Sequence, residues 1–115
     1  MKDDKEKLSQ LKKVISSDFY NYKEFFLLAE SDLNSLEEFK IYLTEKISEL
    51  MVRNFDGLLK ILYQIDINEN KISSVIHSDN NYKASLIADL IIERQLQKIE
   101  TRQKYKVGKN KIFLR

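Results

Sequence analysis

The segment LEEFKIYLTEKISELMVRNFDGLLKILYQI, residues 36–65, carries the pattern that decides the fold class. Its apolar residues recur at steps of three or four, the spacing of one face of an α-helix. They are Leu36, Phe39, Leu43, Ile47, Met51, Phe55, Leu58, Leu62 and Ile65. A straight helix of this length would span about 45 Å, and Gly57 costs about 1 kcal/mol relative to alanine inside a helix. We therefore predict a bend near residues 54–57.

Stripes of the same periodicity lie on both sides of this segment. Residues 5–30 form one apolar face, and we predict one helix there, with Ser16-Ser17-Asp18 marking either a kink or the cap of a second helix. Another helix is predicted from about Tyr82 to Tyr105, followed by Gly108 near the expected C-cap. The two faces comprise Leu8, Leu11, Ile15, Phe19, Tyr22, Phe26 and Ala29, and Leu86, Ile87, Leu90, Ile91, Leu96 and Ile99.

Two pairs of residues have the spacing of a capping box, in which two side chains each bond the other residue's backbone amide. Ser35 and Glu38 are expected to start the helix of residues 36–65. Asp66 and Glu69 are expected to start a short helix that runs to Ile76, before a polar loop at residues 78–81.

The composition favours an all-helical protein. The chain has no proline and only two glycines among its 115 residues, too few for the turns of a multi-stranded sheet. We predict an all-α fold, a small antiparallel bundle of about four helices, three long and one short. Its length suits one domain, which we divide into a helical bundle at residues 1–106 and a basic tail at residues 107–115.

Residues 66–77 have a partial likeness to a calcium-binding loop. Asp66, Asn68 and Asn70 fall at the first, third and fifth positions, but the sixth is Lys71 and the twelfth is His77. Such a loop needs glycine and a bidentate glutamate at those two positions. We therefore predict no calcium site and assign these residues to helix capping.

Other chemistries lack their residues. With no cysteine and a single histidine, the chain offers no thiolate nucleophile and few ligands for a transition metal. No phosphate-binding glycine loop is present, no apolar run approaches the roughly 18 residues that span a bilayer, and the charged start MKDDKEKLSQ is unlike a secretory signal. We expect a cytoplasmic, non-catalytic protein without a cofactor.

Charge is distributed unevenly along the chain. From Lys98 onward, seven basic residues stand against the single acid Glu100, a net charge of +6, whereas the preceding residues carry −4. Concentrated positive charge attracts phosphates, and Tyr105 and Phe113 could stack on bases. The alternative is favourable charge at a helix C-terminus followed by a solvated tail. The candidate phosphate contacts are Arg102, Lys104, Lys106, Lys109 and Lys111.

Protein–protein contact is the function that this pattern favours. Glu93 and Arg94 follow an apolar run and could form ion pairs at a partner interface, while Phe113 is costly to leave in water. We expect an interaction or adaptor protein that self-associates, most naturally as a homodimer, through an uncovered apolar stripe within residues 36–65 or 90–99. A nucleic-acid or ribosome accessory protein that binds through residues 98–115 is the alternative.

Residues 55–70, FDGLLKILYQIDINEN, and residues 90–106, LIIERQLQKIETRQKYK, are similar to a group of short, uncharacterised bacterial helical proteins. The likeness covers about half of the chain and rests on an L-Y-x-I-D junction and a later I-I-E-R helix. It implies a bacterial origin and an all-helical fold, and no chemistry for any residue.

Overall fold

A computed structural model describes residues 2–25, 28, 33–78 and 82–113, with the side chains of residues 2–4, 24 and 105–113 outside that description. Within these ranges the chain is helical and has no strand, which confirms the all-α prediction. The number of helices differs, because the described residues form five α-helices and one 3₁₀ helix. They are α1 (Lys2–Asp18), the 3₁₀ helix Lys23–Phe25, α2 (Leu36–Arg53), α3 (Phe55–Gln64), α4 (Glu69–Ile76) and α5 (Lys83–Phe113).

The packing of α2 on α5 is the most extensive contact between helices. Both helices bury one apolar face, and the sequence periodicity identified most of its members. The buried residues are Phe39, Leu43, Ile47 and Leu50 of α2, and Ile87, Ala88, Ile91, Ile92 and Ile99 of α5. At the edge of this contact, Lys40 Nζ lies 2.9 Å from Asp89 Oδ1. The pair is half-exposed, so it adds at most about 1 kcal/mol.

The N-terminal apolar stripe does not form the single helix predicted for residues 5–30, and that prediction is wrong. Helix α1 ends at Asp18, and the following backbone bonds join residues three apart, from Tyr22 N–H to Phe19 O and from Phe25 N–H to Tyr22 O, both at 3.0 Å. The aromatic rings explain this change. Phe19 and Phe25 stack with centroids 4.3 Å apart, whereas six residues of regular helix would place them on different faces.

The buried part of this stripe otherwise follows the prediction. Leu8, Leu11, Ile15 and Phe19 are buried, and Tyr22 packs partly buried against them. Phe26 and Ala29 lie outside the described residues.

The predicted bend in residues 36–65 is confirmed at Asn54, between α2 and α3. The Asn54 N–H still donates to Leu50 O at 2.7 Å, while its side-chain Oδ1 accepts from Gly57 N–H at 3.0 Å. One residue therefore closes α2 and caps α3. The predicted cap at Ser35 is confirmed, since its Oγ accepts from Glu38 N–H at 3.1 Å. The other half of the capping box differs, because Glu38 Oε2 accepts from Asn34 N–H rather than from Ser35 N–H.

The start of the fourth helix differs from its prediction. Asn68, not Asp66, caps α4, and its Oδ1 accepts from Asn70 N–H at 2.8 Å. Asp66 has a positive φ of 65°, the left-handed conformation that asparagine and aspartate tolerate better than most residues. It belongs to the turn after α3, so the capping box of Asp66 and Glu69 is wrong.

The last helix is longer than predicted. We expected its end near Tyr105, but the α5 backbone continues through Gly108 to Phe113. Lysine and arginine are good helix formers and are favourable near a helix C-terminus, so this segment has local reasons to stay helical. Among the side chains of α5 that the structure describes, Ile99 is the last buried one, and residues 100–104 are all exposed.

We predict that Gly57→Ala lowers the free energy of unfolding by about 1–2 kcal/mol, although alanine is the better helix former. A Cβ at position 57 would lie 2.6 Å from Tyr22 Oη and 2.7 Å from Asn54 Nδ2. It would therefore displace the cap of α3 and the tyrosine together. Chemical denaturation followed by circular dichroism measures the change.

Lys60→Ala, at an exposed position of α3, is the matched control and should be nearly neutral. In a Tyr22→Phe background the hydroxyl is gone, and the cost of Gly57→Ala should decrease. A Gly57→Ala protein as stable as the parent would contradict this account of the close approach.

Candidate interaction surfaces

The outer face of α2 carries two exposed aliphatic side chains, although its inner face is fully buried. Ile41 is 58% exposed and Val52 is 90% exposed. At about 100° per residue, these two positions lie within roughly 20° of each other around the helix. The exposed residues Glu45 and Ser48 lie between them on the same stripe. We call these four positions the α2 outer stripe.

A broad, open groove of about 710 Å³ lies beside the α2 outer stripe. The Lys46 ammonium is 5.0 Å from the centre of the Tyr42 ring and 3.7 Å from Glu49 Oε1. Lys23, Ser48, Val52 and Arg53 complete the lining. Its mixture of cations, one carboxylate and an aromatic ring suits contact with protein side chains more than the chemistry of an active site.

Glu93 and Arg94, the predicted interface pair, bond within the chain. Arg94 Nε donates to Ile65 O at 3.2 Å, and its NH2 lies 3.9 Å from Asp66 Oδ2. Glu93 Oε1 lies 3.6 Å from Lys71 Nζ. These bonds join α5 to the turn between α3 and α4 and to α4, so both side chains contribute to the fold. Their contact with a partner stays a prediction.

The predicted phosphate contacts all lie on the last part of α5. Arg102 and Lys104 are exposed. Arg102 also lines a groove of about 320 Å³ between α1 and α5. The side chains of Lys106, Lys109, Lys111 and Phe113 lie outside the described residues.

A hydrogen bond between a buried amide and a half-buried carboxyl was not anticipated from the sequence. Gln95 is 1% exposed, the only buried polar side chain among the residues described, and its Nε2 donates to Asp18 Oδ2. Burial raises the pKa of the Asp18 carboxyl, and the positive charge of Lys98 partly offsets that rise. A signal was present, because Gln95 interrupts the apolar series Ile91, Ile92 and Ile99.

The calcium-like segment and the lone histidine serve helix ends. Asn68 Oδ1 is occupied by the cap of α4. His77 Nδ1 lies 3.1 Å from Ser73 Oγ and 2.9 Å from Ser73 O, so a proton on Nδ1 would bond the helix-terminal carbonyl. In that tautomer Nδ1 cannot accept the proton of the serine hydroxyl. Across the described ranges, no three His, Cys, Asp or Glu side chains come together in a group that could hold a metal ion.

Comparison with protein-family models, curated proteins and solved structures found no significant match to this chain. Of the helices in the described parts of the chain, none has both the length and the apolar content needed to cross a bilayer. The function of the chain therefore has to be inferred from its own surfaces.

We predict that Asp18 adds a distinct component to the pH dependence of stability. Its pKa is higher in the folded chain than the ordinary value of 3.8. The contribution is therefore fully present below that value and is lost as the pH rises through the folded pKa. Asp18→Asn keeps an oxygen that accepts from Gln95 and removes the half-buried charge, so it should stabilise the chain at neutral pH relative to acidic pH.

Urea denaturation of both proteins between acidic and neutral pH measures this difference. Glu100→Gln, which removes an exposed carboxylate from α5, is the control. An unfolding free-energy difference between parent and Asp18→Asn that is constant with pH would show that Asp18 titrates alike in both states.

Proposed function

We propose that this chain is a non-catalytic helical interaction protein that self-associates through the α2 outer stripe. The observation that carries the proposal is the exposure of Ile41 and Val52 on the same line of a helix whose opposite face forms the core. The other predicted surface, around residues 90–99, is less available. Ile91, Ile92 and Ile99 are buried there, and Leu90 and Leu96 are partly covered.

The α2 outer stripe is complementary to itself. If two copies pack their α2 helices antiparallel about a two-fold axis between residues 46 and 47, Ile41 of each copy meets Val52 of the other. In the same register Glu45 lies opposite Ser48, whose hydroxyl can donate to the carboxylate. A two-fold contact repeats every pair, so one favourable pairing is gained twice.

The dimer should be weak. One pair of helices buries less than the roughly 1,200 Å² below which complexes are transient. We expect a binding free energy on the order of −7 to −8 kcal/mol, which corresponds to a dissociation constant in the micromolar range. Such an affinity suits a protein that exchanges partners, with the open groove beside the stripe accepting side chains from whichever chain is bound.

We predict that Ile41→Glu and Val52→Lys each weaken the dimer at least about tenfold, because each change damages two symmetric contacts. Sedimentation equilibrium over a range of protein concentrations measures the association constant. Tyr20→Lys, which replaces an apolar residue that is 70% exposed and outside α2, is the control and should leave the constant unchanged.

The double variant Ile41→Glu/Val52→Lys tests the register. In the antiparallel dimer each introduced carboxylate meets an introduced ammonium of the other copy, so association should recover and should then weaken as salt is added. A parent protein that stays monomeric at high micromolar concentration would refute self-association. A double variant no stronger than the single ones would refute this register.

A further inference from the structure

The groove between α1 and α5 is a second concave surface, separate from the α2 outer stripe. It has a volume of about 320 Å³. Its floor is apolar, formed by Val14 and Ile99, and its rims are polar. The rim residues are Gln10 and Lys13 on α1, and Arg102 and Gln103 on α5.

The two rims place one cation on each side of the groove. Lys13 and Arg102 are both exposed, so each side chain can reorient towards a ligand without disturbing the packing of the core. The exposed acids Glu6 and Glu100 are near these residues in the sequence, but neither lines the groove. A ligand that enters between Lys13 and Arg102 therefore meets positive charge from both helices.

The positive charge continues along α5 one helical turn before Arg102. Lys98 is four residues from Arg102 in this helix, so the two positions fall on one face of it. Together with Lys13, these cations suit consecutive phosphates of a strand better than a single phosphate ion.

The polar amides favour a nucleic-acid strand over a simple polyanion. Gln10 and Gln103 can each donate and accept hydrogen bonds, which suits the ribose hydroxyls and the base edges of an unpaired strand. A groove of about 320 Å³ with an apolar floor has room for part of one strand, whereas the backbone of a duplex would contact only its rims.

We infer that the groove between α1 and α5 binds the phosphodiester backbone of single-stranded RNA, with Lys13 and Arg102 as paired phosphate contacts. This binding is independent of the self-association through α2, because Ile41 and Val52 do not line the groove. In this arrangement Lys13, Gln10 and Gln103 also contact the RNA strand, although a count of the charges at the C-terminal end does not identify them.

The test is fluorescence anisotropy of the full chain with a labelled oligouridylate of about 12 nucleotides, at several salt concentrations. Lys13→Gln and Arg102→Gln should each weaken binding roughly threefold or more and reduce the salt slope by about 0.7. Lys60→Gln, which removes an exposed cation from α3, has the same effect on net charge and should leave binding unchanged.

Several results would overturn the inference. These are no binding at low salt, an equal loss for Lys60→Gln, or an undiminished affinity for Lys13→Gln. Tighter binding to a duplex of the same length, or to phosphatidylglycerol vesicles, would reject single-stranded RNA as the ligand. Circular dichroism of each variant separates loss of binding from loss of the fold.

Discussion

Burial of the apolar face of α5 is the constraint on which the rest of the structure depends. α1, α2 and α4 all pack on this helix, and its residues from Ile87 to Ile99 contribute to a single hydrophobic core. Burial of apolar surface is worth about 25 cal/mol per Å², so this shared face dominates the stability of so small a domain. It also determines what is left for function. The outer face of α2 is exposed because its inner face packs in the core, and residues 100–104 of α5 are exposed directly after Ile99.

Periodicity predicted the long helices well and failed where aromatic side chains had a better arrangement. The spacing in residues 36–65 identified most of the buried face of α2 and α3, although Leu36 is 48% exposed. Gly57 and the length of the segment placed the bend close to Asn54. The same spacing in residues 5–30 was misleading, because Phe19 and Phe25 gain more by stacking on each other than by continuing a helix. A step of three or four residues describes which face an apolar residue would occupy in a helix. It does not reveal whether the chain reverses so that two such residues meet.

Some of the candidate surfaces could be identified from the sequence, and others are formed only by the tertiary packing. The basic end of the chain is evident from a count of charges, and the uncovered stripe within residues 36–65 was anticipated as a class. Ile41 and Val52 could have been identified individually, since both are apolar and out of phase with the buried face. The groove between α1 and α5 could not, because Lys13 and Arg102 are distant in the sequence and only the tertiary packing brings them to opposite rims.

The prediction of a helix cap at Asp66 failed for a local reason, since Asn68 was an equally good acceptor two residues later.

The hydrogen bond between buried Gln95 and half-buried Asp18 also bears on how uniquely α1 is placed. Leu8, Leu11 and Ile15 repeat so evenly that a shift of α1 by one turn would exchange one aliphatic contact for another at little cost. The same shift would leave the Gln95 amide without its acceptor inside the core, at a cost of about 1–3 kcal/mol. This single hydrogen bond therefore favours one position of α1 along the core, where the aliphatic contacts alone would make several positions nearly equal in energy. If both partners were aliphatic, α1 could shift along the core without losing a hydrogen bond, and its position would be less uniquely specified.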